Sequence, residues 1–273
     1  MSAIRPIEFG YNPPTGDRLI ERVEPRSFVR DLQHVLDRAC QRFDSIWISD
    51  HHMTADRFRL ECWTQLTWVA ARYPGPMLGT IVMANSYRHP PLLAKMAASL
   101  QVFSQGRFIL GYGAGWAEDE YHAYGYEYPS ARVRIAQMVE GIAVMRALWT
   151  QAPATFEGQY YRVRDAYCEP RPDPVPPIMI GGDGERYLLR AVAEQADIWL
   201  PFSRGLDVLA HKIDVLKGHC QDVGRDYAQL RKAYSCVVYL DRDRAAAQRR
   251  ADARPNGQGS AFAGDPAALR DYL

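Results

Sequence analysis

The sequence predicts an α/β protein, a TIM-type (β/α)8 barrel of parallel strands with helices outside and one inserted hairpin. Three observations predict it. Short apolar runs alternate with amphipathic segments along most of the chain, and strands joined through helices belong to parallel sheets. The strand runs lack a sustained polar/apolar alternation, as expected where both faces are buried. The rhythm breaks once, near residues 154–177, where aromatic and β-branched runs flank a Glu-Gly turn and lead into a proline-rich link. That stretch reads as the hairpin.

Each element has its own signal. IEFGY (7–11) reads as a strand, SFVRDLQHVLDRAC (27–40) as a helix, DSIWISD (44–50) as a strand and LECWTQLTWVAARY (60–73) as a helix. PMLGTIVMAN (76–85) is a strand run, and PPLLAKMAASLQVFS (90–104) a helix with two prolines in its first turn. RFILGYGAG (107–115) is a strand running into a glycine-rich turn. In ARVRIAQMVEGIAVMRALWTQ (131–151), Ile135, Met138, Val139, Ile142 and Trp149 fall on one helical face. After the hairpin come a strand at 177–182, a helix at 185–196, a strand at 197–202 and a helix near 206–223. A strand at 232–240, an Arg/Ala-rich helix near 243–254 and a short helix at 265–273 complete the chain. These make seven β/α units, whereas a closed barrel has eight strands. The expectation is a barrel that lacks its C-terminal eighth strand, by truncation or by an unusual closure. No composition shift marks a boundary, so residues 1–273 read as a single domain.

The size of 273 residues suits one barrel. Its 33 basic and 32 acidic residues leave a net charge of +1, which gives no field for nucleic acid or an anionic membrane. Hydrophobic residues at 47% and charged residues at 24% describe a globular protein. No window of the length and apolarity of a membrane span occurs, and the N-terminus has no apolar signal-peptide core. Five scattered cysteines without CxxC spacing argue against a zinc ribbon and fit reduced thiols in the cytoplasm.

In such a barrel the chemistry lies at the C-terminal strand ends. Those ends carry Ser49-Asp50-His51-His52, Ile81 to Asn85, Gly111 to Trp116, and Ile180-Gly181-Gly182-Asp183-Gly184. The last run suits a phosphate against backbone N–H groups, or simply a tight turn, with Asp183 capping the helix near Glu185. Gly111, Gly113 and Gly115 do not spell a dinucleotide fingerprint. They suit backbone packed against a flat ring, or a crowded loop. Asp50-His51-His52 reads as a general acid/base site, a structural histidine pair or part of a metal site. Of the four lysines, Lys95, Lys212 and Lys217 lie on predicted helices and Lys232 sits at the wrong end of its strand, which argues against Schiff-base chemistry. No GxSxG occurs. A phosphate-and-ring pocket with one histidine points to a bound redox cofactor.

Together, TIVMANSYRHPPLLAKMAASLQVFSQGRFILGYGAGW, EDEYHAYG, FEGQYY and PPIMIGGDGERYLLRAVAEQADIW resemble the bacterial-luciferase-like superfamily. Within it the chain most resembles the coenzyme F420-dependent oxidoreductases, from about residue 7 to 240, with HCQDVGRD (219–226) also fitting. The resemblance implies a deazaflavin at the C-terminal face. It places Asp50 and His51 beside the ring, with His51 as proton donor or acceptor. It makes Ile81-Val82 a non-prolyl cis peptide that forms a bulge behind the ring and sets Tyr112, Gly113 and Ala114 beside it. It makes Gly181, Gly182 and Asp183 the phosphate turn. Family members are commonly homodimers packed through helices near the second and third strands, here 60–73 and 90–104.

Two positions depart from the sugar-phosphate dehydrogenases of that group. Ala114 stands where they have a glutamate, and Ala55 where a tryptophan follows the Asp-His pair. Oxidation of a sugar phosphate by their mechanism is therefore not expected, and Glu118 and Glu120 stay open as substitutes. The expected function is hydride transfer between coenzyme F420 and a small organic substrate. The close alternative is an FMN-dependent monooxygenase of the same superfamily. The distant alternatives are a metal-dependent hydrolase built on Asp50, His51 and His52, and a cofactor-binding protein without turnover.

Overall fold

In a computed structural model that describes residues 6–16, 24–55, 57–202, 205–253 and 260–272, the predicted strands and helices follow one another in the predicted order. They fall into two units, Met1–Ile180 and Gly181–Leu273.

The first unit runs β1 (Gly10–Tyr11), α1 (Pro25–Ala39), β2 (Ser45–Ile48), α2 (Cys62–Arg72), β3 (Met77–Thr80), β4 (Met83–Ala84) and α3 (Pro90–Phe103). It continues with β5 (Phe108–Gly113), α4 (Glu118–Ala123), α5 (Ala131–Thr150), β6 (Ala154–Glu157), β7 (Arg162–Ala166) and β8 (Ile178–Gly181), whose last residue opens the second unit. Parallel pairing orders the strands β1-β2-β3-β5-β8, with β4 also on β5. Every residue of β5 is buried, the two-sided burial that its unbroken apolar run predicts. Helix α1 buries Phe28, Leu32, Leu36 and Ala39 along one stripe. Helix α3 carries its two prolines in the first turn. The Trp149 indole N–H donates to the Ala94 carbonyl at 3.0 Å and ties α5 to α3.

Three features of this unit differ from the sequence reading. The predicted strand 76–85 is two strands, β3 and β4, split at Ile81-Val82. Helix α4 lies where only a loop is predicted. On α5, Met138, Ile142 and Trp149 are buried as predicted, but Ile135 and Val139 are half-buried. The buried face turns instead towards Gly141, Met145 and Leu148. The inserted hairpin is present as antiparallel β6–β7. Its Glu-Gly turn is held by the Glu140 carboxylate of α5, which accepts the backbone N–H groups of Gln159, Tyr160 and Tyr161.

The second unit runs α6 (Leu188–Gln195), β9 (Ile198–Leu200), α7 (Leu206–Asp222), β10 (Arg231–Lys232), β11 (Cys236–Leu240), α8 (Arg244–Asp252), β12 (Ser260–Gly264) and α9 (Pro266–Tyr272). The predicted strand 232–240 is again two, with β10 parallel to β9 and β11 parallel to β12. Strand β12 has no counterpart in the sequence reading. Its run Ser-Ala-Phe-Ala-Gly holds one large apolar residue and gives little β signal. Residues 254 and 273, the predicted ends of two helices, lie outside the described residues. Parallel strands joined through helices and interrupted by one antiparallel hairpin are the predicted TIM-type α/β class. No helix among the described residues is long and apolar enough to cross a membrane.

Candidate active site

Strand β2 ends at Ile48 and delivers Asp50 into a buried position. A buried carboxylate needs partners, and Asp50 has them on both oxygens. Arg88 grips it with two N–H groups, at 2.9 and 3.1 Å, and the Ala84 N–H adds a third bond at 3.1 Å. Arg88 also reaches the Glu61 carboxylate. Burial opposes the Arg88 charge, but Asp50 and Glu61 outweigh it and hold the guanidinium above its ordinary range. Asp50 thus fixes the backbone after β4 relative to the end of β2.

His51 is half-buried, and its Nδ1 lies 2.6 Å from Glu120 Oε1. An ionised carboxylate only accepts, so Nδ1–H donates and Nε2 is left to exchange a proton elsewhere. Glu120 is the buried residue of α4 that makes this possible. Its second oxygen accepts from the His52 backbone N–H at 2.9 Å and the Tyr87 hydroxyl at 3.1 Å. Burial opposes ionisation of Glu120, yet the bonds from His51, His52 and Tyr87 hold its carboxyl below the ordinary value. Tyr87 moves the opposite way, pushed far up by burial first and by Glu120 second, so its hydroxyl stays a donor. His52 has the structural role. Its ring packs on Tyr87 at 4.2 Å and Tyr124 at 4.7 Å between centroids.

The Ile81–Val82 peptide is cis. It lies in a bulge: Gly79 pairs with Ile109 and Met83 with Tyr112, so the β3–β4 side carries one more residue than β5. The Thr80 hydroxyl closes the gap, donating to the Gly111 carbonyl at 2.8 Å and accepting from its N–H at 2.9 Å. A Cβ on Gly111 would overlap the Thr80 carbonyl oxygen, so this approach requires glycine. Ile81, Val82 and Ala114 are half-buried, while Tyr112 and Gly113 are buried. The Tyr112 hydroxyl donates to Asn85 Oδ1 at 2.7 Å, and Asn85 Nδ2 donates to the hairpin hydroxyl of Tyr161 at 3.0 Å.

Gly181, Gly182 and Asp183 belong to the second unit. Gly182 has φ +127°, and a Cβ there would overlap Leu188. Its N–H donates to the Leu200 carbonyl at 2.9 Å, and its carbonyl accepts from the Trp199 indole at 2.8 Å. Helix α6 starts at Leu188, with Tyr187 at its N-cap and no side-chain cap bond. The helix thus begins three residues after Glu185, which corrects that expectation. The turn runs on to Gly184, whose carbonyl accepts from both Leu188 and Leu189.

In the first unit the structure thus joins Asp50 and His51 to Arg88 and Glu120, and Ile81-Val82 to Tyr112 through the bulge. Sequence reasoning left Glu120 open and passed over Tyr87, Arg88 and Asn85. The acidic run EDE ahead of two aromatic residues is the one signal for Glu120. The metal alternative finds no support in the arrangement. Asp50 is committed to Arg88, and no group of three candidate ligands occurs among the described residues.

The profile of the luciferase-like monooxygenase family matches residues 30–272. An F420-dependent glucose-6-phosphate dehydrogenase of Kineococcus radiotolerans is 33% identical over 216 residues, 76% of this chain and 63% of that protein. Its namesake from Gordonia bronchialis is 30% identical over 230 residues, 82% of this chain and 67% of that protein. The matches thus span under two thirds of the first relative's length and about two thirds of the second's. Among solved structures, an F420-dependent secondary alcohol dehydrogenase with an F420-acetone adduct superposes with a TM-score of 0.76 at 23% identity, covering 89% of this chain and 73% of that one. The coenzyme F420-dependent tetrahydromethanopterin reductase of Methanopyrus kandleri gives 0.76 at 18% identity, covering 97% and 88%. These two likenesses show the fold. One family profile spans both units, and the chain belongs to the luciferase-like monooxygenase family.

Proposed function

We propose that this chain is an oxidoreductase that exchanges a hydride between coenzyme F420 and a small organic substrate, with His51 carrying the accompanying proton. The observation that carries the reading is the 2.6 Å bond between His51 Nδ1 and the buried Glu120 carboxylate. It leaves Nε2 as the ring atom free to exchange a proton, the role of a general acid/base. The names of the relatives and of the two superposed structures support F420 as the coenzyme.

The residues of the first unit fit a flat ring. The bulge at Ile81-Val82 and the small side chain of Ala114 leave half-buried surface on which a ring can rest. Asp50 and Arg88 keep that bulge and the His51 backbone in fixed relation, and Tyr112 and Gly113 support it from within. Gly181, Gly182 and Asp183 are the proposed phosphate side, where Gly182 admits close backbone approach. When bound, the deazaflavin supplies the two-electron hydride chemistry. His51 Nε2 gives or takes one proton per hydride, so the substrate changes by two electrons and one proton is balanced at the imidazole. Glu120 keeps Nδ1 protonated throughout.

The direct test is titration of the purified chain with F420 and separately with FMN, followed by fluorescence quenching. The reading expects tight F420 binding and weak FMN binding. Preference for FMN would move the chain to the flavin side of its family.

A further inference from the structure

We propose that Trp116 is the substrate-facing wall beside His51 and that the substrate presents an uncharged, apolar face to it. This rests on the reading of His51 as proton carrier. Trp116 is 57% exposed, although the backbone around it is fixed. Its carbonyl accepts from the Tyr128 hydroxyl at 3.1 Å and from the Glu118 N–H at 3.0 Å, and the preceding Gly115 carbonyl accepts from Arg134 at 3.3 Å. Gly115 has φ +77°, and a Cβ there would overlap the Tyr121 hydroxyl. The chain can turn here only through glycine, and the turn sets the indole down where it is. The ring meets His51 edge-to-face, with centroids 5.6 Å apart and planes at 77°.

A large indole held by rigid backbone and left in water keeps apolar surface that a ligand can cover favourably. Rigid aromatic side chains also lose little entropy on binding. The charges around it select the ligand class. Beyond the buried Ala117, Glu118 and Asp119 are exposed, and Glu120 is held ionised beneath His51. Asp50 is already neutralised by Arg88. Arg134 is buried, with its N–H groups turned to the Gly115 and Pro129 carbonyls and the Tyr128 hydroxyl, so an anionic group at this wall would meet the acidic side chains, a repulsion that an alkyl or aromatic carbinol or carbonyl escapes. The indole then covers the carbon skeleton, and the oxygen faces His51 Nε2.

The test compares the wild-type chain with Trp116→Ala and Trp116→Phe by saturation-transfer NMR. Cyclohexanol, benzyl alcohol and glucose 6-phosphate are the probes, with F420 titrated into the same samples. Cyclohexanol and benzyl alcohol should bind the wild type, weaken about tenfold in Trp116→Ala and largely recover in Trp116→Phe. Equal affinity of the two neutral probes for wild type and Trp116→Ala overturns the proposal. So does their failure to bind the wild type, or tighter binding of glucose 6-phosphate than of either. The F420 titration keeps the two readings apart. Absence of F420 binding sinks the proposed function but leaves the probe measurements on Trp116 intact. F420 binding with unchanged probe affinities sinks only the wall.

Discussion

Glu120 decides what His51 can do. A histidine at a strand end can present either nitrogen, and a carboxylate 2.6 Å from Nδ1 selects one. Replacing His51 by Ala should leave F420 affinity close to wild type and lower turnover by about 10²–10⁴-fold, the usual worth of a general acid/base. Steady-state kinetics beside a binding titration checks this, and unchanged turnover removes His51 from the chemistry. Glu120→Gln tests the partner through pH. The folded carboxyl sits below its ordinary value of 4.5. Its contribution to stability is therefore fully present above that value and is lost as pH falls through the lowered folded value. Urea unfolding from neutral pH into the acid range should show a steeper loss in the wild type than in Glu120→Gln. Parallel curves would mean that Glu120 contributes nothing as an ion.

At the scale of elements, the site depends on how helices and turns are anchored. Glu61 caps α2 by accepting from the N–H groups of Trp63 and Thr64, and it also pairs with Arg88. Burial opposes its ionisation, but the bonds from Thr64 and Trp63 and the nearby Arg88 bring its carboxyl down to about 2. Glu61→Ala should lower unfolding stability by about 0.5–2 kcal/mol, the range of a lost N-cap. The loss should shrink as pH falls from 4.5 towards about 2, because over that range the unfolded wild type takes up a proton that the folded one does not. Gly182→Ala puts a Cβ against Leu188 at a backbone angle that favours glycine. It should cost on the order of 1 kcal/mol or more, read as a shift in the urea midpoint. The elements best read from sequence are those with a period or a breaker of their own. The proline-led α3, the all-apolar β5 and the Glu-Gly hairpin are found close to where their residues place them. Strand β12 was not legible, and the break between β3 and β4 was legible only through the family resemblance at Ile81-Val82, not from the strand pattern. The first has too little apolar pattern. The second is a one-residue register offset, settled by pairing with β5 and by Thr80 against Gly111.

For the whole molecule, one family profile spans residues 30–272, so the proposed coenzyme is tested on the chain as a whole. Coenzyme binding should then appear as global stabilisation. F420 at about a hundred times its Kd should raise unfolding stability by about 2.7 kcal/mol. His51→Ala should retain that gain, since its loss is assigned to proton transfer. If saturating F420 leaves the unfolding curve in place, the chain does not hold the coenzyme in its folded state.

By itself the sequence determined the class of fold, because hydrophobic period and chain punctuation act locally and survive in one dimension. It also determined the set of glycine-rich and Asp-His strand ends, since strand order alone puts them at one end of parallel strands. The tertiary structure decided what those residues touch. Asp50 became a buried anchor once Arg88, 38 residues away, closed on it. His51 acquired a defined proton-bearing nitrogen only from Glu120, 69 residues on in a helix of six residues that has no clear sequence signal. Ion pairs and hydrogen bonds over such separations depend on distances of a few ångströms, and those distances exist only after the strands have chosen their neighbours.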